Sequence, residues 1–193
     1  MLYKILKLIF IFIYSVIFPT TTIGKENVPK DGAVILASNH LSNWDPPLVG
    51  AFISRHLAYM AKEELFKVPI LKYVLKAVHT FPVKRGASDR SAIKTALTML
   101  KAGECICMFP EGTRSKDGNL HKGAPGVALI AAKSKATVIP VAITGTFKLK
   151  PFRKITVVYG KPIVFTAEKA DKENLQEFTE KIMQEIASML KMQ

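Results

Sequence analysis

The chain runs from an apolar, strand-like stretch at residues 33–37 into Asn39-His40-Leu41-Ser42-Asn43-Trp44-Asp45-Pro46-Pro47. An imidazole and a carboxylate therefore stand close together in the sequence, at His40 and Asp45. On an α-helix this spacing would turn the two side chains about 140° apart, so they can meet only if the residues between them form a loop. Pro46 agrees with a loop, because the residue before a proline is disfavoured in helical conformation.

A histidine paired with an aspartate can act as a general base. The aspartate accepts a hydrogen bond from one ring nitrogen and stabilises the imidazolium that forms when the other nitrogen takes a proton. A structural interpretation is also open, in which Asp45 caps a helix that has Pro46 at its first position. This segment alone does not decide between the two.

A second candidate site follows the apolar run at residues 105–108. It reads Phe109-Pro110-Glu111-Gly112-Thr113-Arg114-Ser115. Such a turn can present backbone amides and a guanidinium to an anion, because arginine matches phosphate oxygens with two hydrogen bonds and glycine lets the main chain approach closely. The alternative is a surface turn with a local salt bridge between Glu111 and Arg114, of the kind that contributes little stability.

Four motifs in this order resemble those of the glycerolipid acyltransferase family. They are His40-x4-Asp45 and the segments 81–86, 109–115 and 138–143. The likeness extends from about Gly32 to Pro162. The second motif departs from the family pattern, because residues 77–80 hold no glycine ahead of Phe81.

The resemblance implies transfer of a fatty acyl chain from an acyl thioester to the free hydroxyl of 1-acylglycerol 3-phosphate, which gives phosphatidic acid in phospholipid biosynthesis. It implies that His40 is the general base and that Asp45 orients it. The residues that it assigns to binding of the acceptor are Arg85, Glu111, Gly112, Thr113 and Arg114. It implies no metal and no other cofactor, with a thioester of acyl-carrier protein or coenzyme A as the acyl donor.

These roles are chemically consistent. An alcohol is a poor nucleophile at neutral pH, so its proton must leave as its oxygen attacks the thioester carbonyl, and a neutral histidine is the usual acceptor. Arg85 and Arg114 would hold the acceptor's phosphate so that its hydroxyl lies beside His40. Two alternatives stay open: a family member that acylates another lysophospholipid, and a non-catalytic basic protein that binds lipid.

The formal net charge of +13 over 193 residues requires a partner of opposite charge or a solvated surface. Nucleic-acid-binding modules combine basic clusters with stacking aromatic residues or a helix that fits a groove, and neither pattern occurs here. We therefore expect no nucleic acid as a partner. A generally positive surface favours an anionic membrane and steers acyl-carrier protein or a coenzyme A thioester toward the site. A merely well-solvated basic surface is the alternative.

The N-terminal segment is apolar from Leu8 to Phe18 apart from Ser15. As a helix this segment extends about 16 Å against about 30 Å of hydrocarbon, so it does not comfortably span a bilayer. Helical spacing places Lys4, Lys7 and Tyr14 on a narrow polar stripe. We expect residues 1–24 to form an interfacial anchor and residues 25–193 to form the acyltransferase domain.

The expected location is the cytoplasmic face of the cell membrane, as a monotopic or peripheral protein. A signal peptide is the alternative interpretation of the same segment. It is disfavoured because no small-x-small cleavage site follows in residues 19–23.

The rest of the chain alternates strand-like and helix-like stretches. The expected strands are residues 33–37, 56–61, 80–84, 104–109, 137–142 and 155–159, with a further one at 162–165. This alternation predicts a single α/β domain with a mixed, largely parallel sheet covered by helices on both faces. The loops that carry His40 and Glu111 each follow a strand, so they can converge at one end of the sheet. Cys105 and Cys107 alternate along a strand and are expected in the core.

Overall fold

The computed structural model describes residues 2–83 and 89–192. The helices are α1 (Leu2–Val16), α2 (Asp45–Ala51), α3 (Pro69–Ala77), α4 (Arg90–Lys101), α5 (Gly126–Ser134) and α6 (Lys172–Lys191). The strands are β1 (Thr20–Ile23), β2 (Val34–Ser38), β3 (Leu57–Lys62), β4 (Thr80–Val83), β5 (Cys105–Met108), β6 (Thr137–Thr144) and β7 (Ile155–Tyr159). Short 3-10 turns lie at Lys25–Asn27 and Glu63–Lys67.

These strands form one sheet in the order β1-β7-β6-β2-β5-β3-β4. β6 and β7 are antiparallel, and every other neighbouring pair is parallel. The predicted α/β fold with a mixed, largely parallel sheet is confirmed. Parallel neighbours need long crossover connections, which is why helices lie between most of the strands along the chain.

Each face of the sheet is covered by its own set of helices. On β2, Ile35 and Ala37 join a core with α4, α5 and α6, whereas the alternate residues Val34 and Leu36 join a core with α1 and α2. Cys105 lies in the second core as a buried free thiol, as does Cys107, and burial raises the pKa of Cys105 to about 12. The prediction of core cysteines is thus confirmed.

Two features of the sheet differ from the sequence-based expectation. β1 was not expected, and it pairs in parallel with β7 at the edge of the sheet. The strand expected at residues 162–165 is reduced to one bridge between Ile163 and Val138, because Pro162 has no N–H with which to extend the pairing. β1 lies within the segment expected as an anchor, and the division of the chain after residue 24 stays a prediction.

α1 docks on α2 through the face that holds Tyr14. This side chain is fully buried and its hydroxyl donates a hydrogen bond to the main-chain oxygen of Trp44 at 2.7 Å, while the Lys7 ammonium donates to the oxygen of Ile53. Burial, and then the charge of Asp45, raise the pKa of Tyr14, so the hydroxyl stays protonated as a donor. Lys7 and Tyr14, which were expected on a narrow polar stripe, therefore face the protein.

The outward face of α1 is apolar. Its exposed large side chains are Leu2, Ile5, Leu8, Ile9, Phe12 and Val16. Among the residues that the structure describes, no helix combines the length and the apolar character needed to cross a bilayer. α1 thus presents a lipid-like face on a helix whose other face belongs to the core.

The Tyr14 hydrogen bond predicts a measurable contribution to stability. Tyr14→Phe removes the shorter of two hydrogen bonds to the Trp44 carbonyl and leaves the one from the Leu48 nitrogen at 3.3 Å, so the free energy of unfolding should fall by about 1 kcal/mol in urea denaturation. Tyr73→Phe is the matched control, because the Tyr73 side chain is 65% exposed, and its effect should stay within about 0.5 kcal/mol. Equal stabilities of the two variants would contradict the docking of α1 through this contact.

Candidate active site

The loop between β2 and α2 begins with a side chain that makes the two hydrogen bonds a strand backbone would make. Asn39 is buried, its amide donates to the oxygen of Ile143 at 2.9 Å, and its carbonyl accepts from the nitrogen of Ile143 at 2.7 Å. β2 therefore stays linked to β6 after its main chain has stopped pairing. This frees the backbone to turn out of the sheet at His40.

Asp45 closes this loop from the start of α2. It is fully buried, and its Oδ2 accepts hydrogen bonds from Nδ1 of His40 at 2.9 Å and from the main-chain nitrogens of Leu41 and Ser42, both at 2.6 Å. The side chain reaches back into the loop and does not cap α2. One carboxylate oxygen thus orients the imidazole and fixes the backbone that carries it.

The His40 ring is held in place by a second contact. His40 as a residue is 5% exposed, and its ring stacks on Phe109 with ring centroids 4.0 Å apart and an interplanar angle of 20°. Since Nδ1 donates to the Asp45 carboxylate, Nε2 is the ring nitrogen left to take a proton. The ring lines a cavity, so this pair has the arrangement of a general base.

The loop after β5 lies directly against the His40 loop. The main-chain nitrogen of His40 donates to Oε1 of Glu111 at 2.9 Å, and the oxygen of His40 accepts from the nitrogen of Ser115 at 2.8 Å. β2 and β5 are parallel neighbours in the sheet, so both loops leave the same edge. The expected convergence of the two motif loops is therefore present.

Glu111 serves as a bridge within this site. Its Oε1 binds the amide of His40, and its Oε2 accepts from the main-chain nitrogen of His121 at 3.0 Å. The sequence also allowed a local salt bridge between Glu111 and Arg114 as the only role of this turn. Among the described residues this salt bridge does not form. The carboxylate thus organises three loop segments, a task that the motif alone does not indicate.

The rest of the motif is open to solvent. Gly112 has a positive φ of 69° and donates its amide to Phe109, which makes a tight turn that favours glycine. Thr113 and Arg114 are exposed, and Arg114 forms no hydrogen bond or ion pair with residues 2–83 or 89–192. Its guanidinium is therefore available to an anion. Arg85, the other expected phosphate ligand, lies outside the described residues.

Asp117 stabilises the loop that follows. The amide of Asn119 donates to its carboxylate at 3.0 Å, as do the Ser115 hydroxyl at 2.8 Å and the His121 ring at 2.9 Å. These hydrogen bonds, that of the Asn119 amide first, hold the pKa of Asp117 below its usual range. The loop from Arg114 to His121 is thereby pinned at both ends, since His121 also binds Glu111.

A cavity of about 450 Å³ lies beside His40. Most of its lining is apolar and comes from three helices and the motif loops, including Leu6, Phe10, Pro46, Leu71, Val74, Leu75 and Phe109. An apolar cavity next to a general base suits a substrate with a hydrocarbon chain and excludes water from the reacting atoms.

The bridging role of Glu111 predicts a stability effect. Glu111→Gln replaces one acceptor oxygen by an NH2 group that faces a main-chain donor, so the free energy of unfolding should fall by about 1–3 kcal/mol in chemical denaturation. Glu26→Gln, at an exposed position, should change it by less than about 0.5 kcal/mol. A Glu111→Gln protein as stable as the parent would exclude the bridge.

Known proteins share this site-bearing fold. The sequence model of the family described as Acyltransferase matches residues 20–144. The 1-acyl-sn-glycerol-3-phosphate acyltransferase of Bacillus subtilis (strain 168) is 36% identical over 174 residues, which are 86% of this chain and 85% of that protein. The protein of the same name from Streptococcus pneumoniae is 31% identical over 167 residues, or 83% of this chain and 62% of that protein.

A solved structure agrees with the sequence comparison. The crystal structure of the 1-acyl-sn-glycerophosphate (LPA) acyltransferase, PlsC, from Thermotoga maritima matches with a TM-score of 0.77 and 30% sequence identity. The match covers 100% of this chain and 79% of that chain. The chain therefore belongs to the acyltransferase family that its four motifs resemble.

Proposed function

We propose that the protein is a 1-acylglycerol-3-phosphate O-acyltransferase. It transfers a fatty acyl chain from an acyl thioester to the free hydroxyl of 1-acylglycerol 3-phosphate and so forms phosphatidic acid. The observation that carries the proposal is the buried hydrogen bond of 2.9 Å between His40 Nδ1 and Asp45, on a ring that borders the apolar cavity. The names of the similar proteins from Bacillus subtilis and Thermotoga maritima support it.

The chemistry requires one base that becomes an acid. His40 Nε2 takes the proton of the acceptor's hydroxyl as the oxygen attacks the thioester carbonyl, and Asp45 stabilises the imidazolium that results. When the tetrahedral intermediate collapses, the carbon–sulfur bond breaks and the imidazolium returns its proton to the departing thiolate. The new carbon–oxygen bond is the ester of the product.

The cavity is the place for the donor's acyl chain. Its walls are mainly aliphatic and aromatic, and His40 is one of the lining residues, so a chain inside it brings a thioester carbonyl to the base. The donor is a thioester of acyl-carrier protein or coenzyme A. Both are acidic, and the net charge of +13 favours their approach.

The acceptor's phosphate binds at the loop of residues 111–114. Arg114 supplies a free guanidinium, the exposed residues Gly112 and Thr113 border it, and Arg85 contributes a second cation. Glu111 acts on the acceptor by positioning this loop, because both of its oxygens are engaged by main-chain amides. Asp45 likewise acts through His40.

The reaction takes place at an anionic membrane, on its cytoplasmic face. The exposed apolar face of α1 enters the lipid interface and holds the protein as a monotopic or peripheral enzyme. Lipid acceptor and lipid product then need not cross water. Nucleic acid has no part in this function.

His40→Ala tests the catalytic assignment. Purified protein is assayed with lysophosphatidic acid and a panel of acyl-carrier-protein and coenzyme A thioesters, and the phosphatidic acid formed is measured. We expect kcat/KM to fall by about 10⁴-fold, because the base is lost, while vesicle binding is unchanged. His56→Ala, which removes an imidazole outside the cavity lining, should leave turnover within about threefold. Undiminished activity of His40→Ala would exclude the mechanism.

The same assay, run with other lysophospholipids beside lysophosphatidic acid, tests the identity of the acceptor. Products from other lysophospholipids, without product from lysophosphatidic acid, would contradict the proposed substrate.

Arg114→Ala tests the phosphate site. Loss of a charge-assisted hydrogen bond should raise KM for lysophosphatidic acid about 10- to 100-fold, with a smaller change in kcat. Lys116→Ala removes a neighbouring exposed positive charge and should change KM by less than about threefold. Equal effects of the two variants would show that only general charge attraction acts at this loop.

A further inference from the structure

A second exposed apolar surface lies on α3 and the turn before it. Within residues 65–73 four large apolar side chains are exposed: Leu65 by 40%, Val68 by 48%, Ile70 by 81% and Tyr73 by 65%. We refer to these four residues as the α3 surface. Single exposed apolar residues are common on proteins, but several in so short a segment mark an interaction site.

α3 carries large apolar side chains on both of its sides, with the exposed Lys76 beside them on the outward side. Leu71, Val74 and Leu75 line the cavity beside His40, whereas Ile70 and Tyr73, spaced three residues apart, lie together on the outward side. A helix side that is in contact with water usually carries polar residues. The exposed large side chains on the outward side of α3 therefore indicate that an apolar partner binds there.

The charges around the α3 surface indicate which apolar partner it is. Between Glu64 and Asp89 the sequence has no acidic residue, and the described lysines of this stretch are Lys67, Lys72 and Lys76. The Lys72 ammonium lies 5.0 Å from the centre of the Tyr73 ring. Exposed apolar side chains flanked by lysine and tyrosine are typical of segments that lie in the interface of an anionic membrane.

The helices of the chain differ in whether they carry acidic residues. α1, with its apolar outward face, also lacks acidic residues, and the first one in the sequence is Glu26. α6, which covers the opposite face of the sheet, carries Glu173, Glu177, Glu180 and Glu185. α4 and α5 also lack acidic residues, so the absence of Asp and Glu accompanies the exposed apolar faces of α1 and α3 without being confined to them.

α1 and α3 lie on two sides of one cavity. α1 contributes Leu6 and Phe10 to its lining, and α3 contributes Leu71, Val74 and Leu75. The exposed apolar faces of α1 and α3 therefore belong to helices that border the same cavity. A bilayer that receives one of these faces is positioned to receive the other.

We propose that the α3 surface is a second membrane-binding site, which enters the same lipid leaflet as α1. The cavity beside His40 then opens toward the leaflet between two lipid contacts, and acyl chains enter it from the side without crossing water. The partner is a bilayer that contains anionic phospholipid. This inference rests on the membrane attachment in the proposed function and extends it to a segment beyond the N-terminal helix.

A fluorescent label at residue 70 tests the inference. Cys105 and Cys107 are buried, so Ile70→Cys adds the one readily accessible thiol, which is labelled with the environment-sensitive dye NBD. On addition of phosphatidylcholine–phosphatidylglycerol vesicles, the emission should rise severalfold and shift to the blue. The matched control is Met192→Cys, since Met192 is also 81% exposed, and its emission should stay as in water.

A pair of charge substitutions supplies the energetic test. Val68→Asp should weaken partition into the same vesicles about tenfold. The substitution removes an apolar contact with the lipid and adds a negative charge that the anionic headgroups repel. Val164→Asp should change partition less than about twofold, since Val164 has a comparable exposure, 49% against 48%, and lies away from α1 and α3.

A label at residue 70 that stays in water on vesicle-bound protein would overturn the inference. So would shielding of that label without vesicles that increases with protein concentration, because a second copy would then cover the α3 surface. Neither readout uses catalysis. Loss of turnover in His40→Ala with a normal label response would leave this inference standing, and full turnover with an unresponsive label would remove it alone.

Discussion

The whole site depends on one buried carboxylate oxygen. Oδ2 of Asp45 accepts hydrogen bonds from the His40 ring and from the amides of Leu41 and Ser42, within a residue that has no exposed surface. Burying a charge without such partners would cost several kcal/mol, so the loop must close around it. The same three contacts orient the imidazole, so the hydrogen bonds that allow Asp45 to be buried also place His40 for catalysis.

Three other parts of the molecule hold this loop from outside. Asn39 ties its start to β6, Glu111 binds the amide of His40 from the second motif loop, and Tyr14 binds the oxygen of Trp44 from α1. The last contact joins the helix with the exposed apolar face to the segment that carries the base. In the proposed function, the packing of α1 against the His40 loop therefore fixes the distance between the membrane surface and the catalytic base.

The sequence predicted the parts of this design that are local. An apolar strand followed by His40 and Asp45 indicated a pair that meets across a loop, and the alternation of elements indicated the α/β sheet. β1 escaped prediction because Thr20–Ile23 has little apolar patterning and pairs only at the edge. The partners of Glu111 were not predictable, since His40 lies 71 residues away and is reached only through the parallel pairing of β2 and β5. The outward face of α1 likewise depends on its docking to α2.

The tautomer of His40 shows whether the Asp45 carboxylate orients the imidazole. Nitrogen-15 NMR of histidine-labelled protein at neutral pH reports which ring nitrogen carries the proton, and the His40→Ala variant assigns the signal. We predict that Nδ1 is protonated and bound to Asp45, with Nε2 free to accept a proton, and that Asp45→Asn abolishes this preference. A His40 ring with its proton on Nε2 in the parent protein would contradict the account.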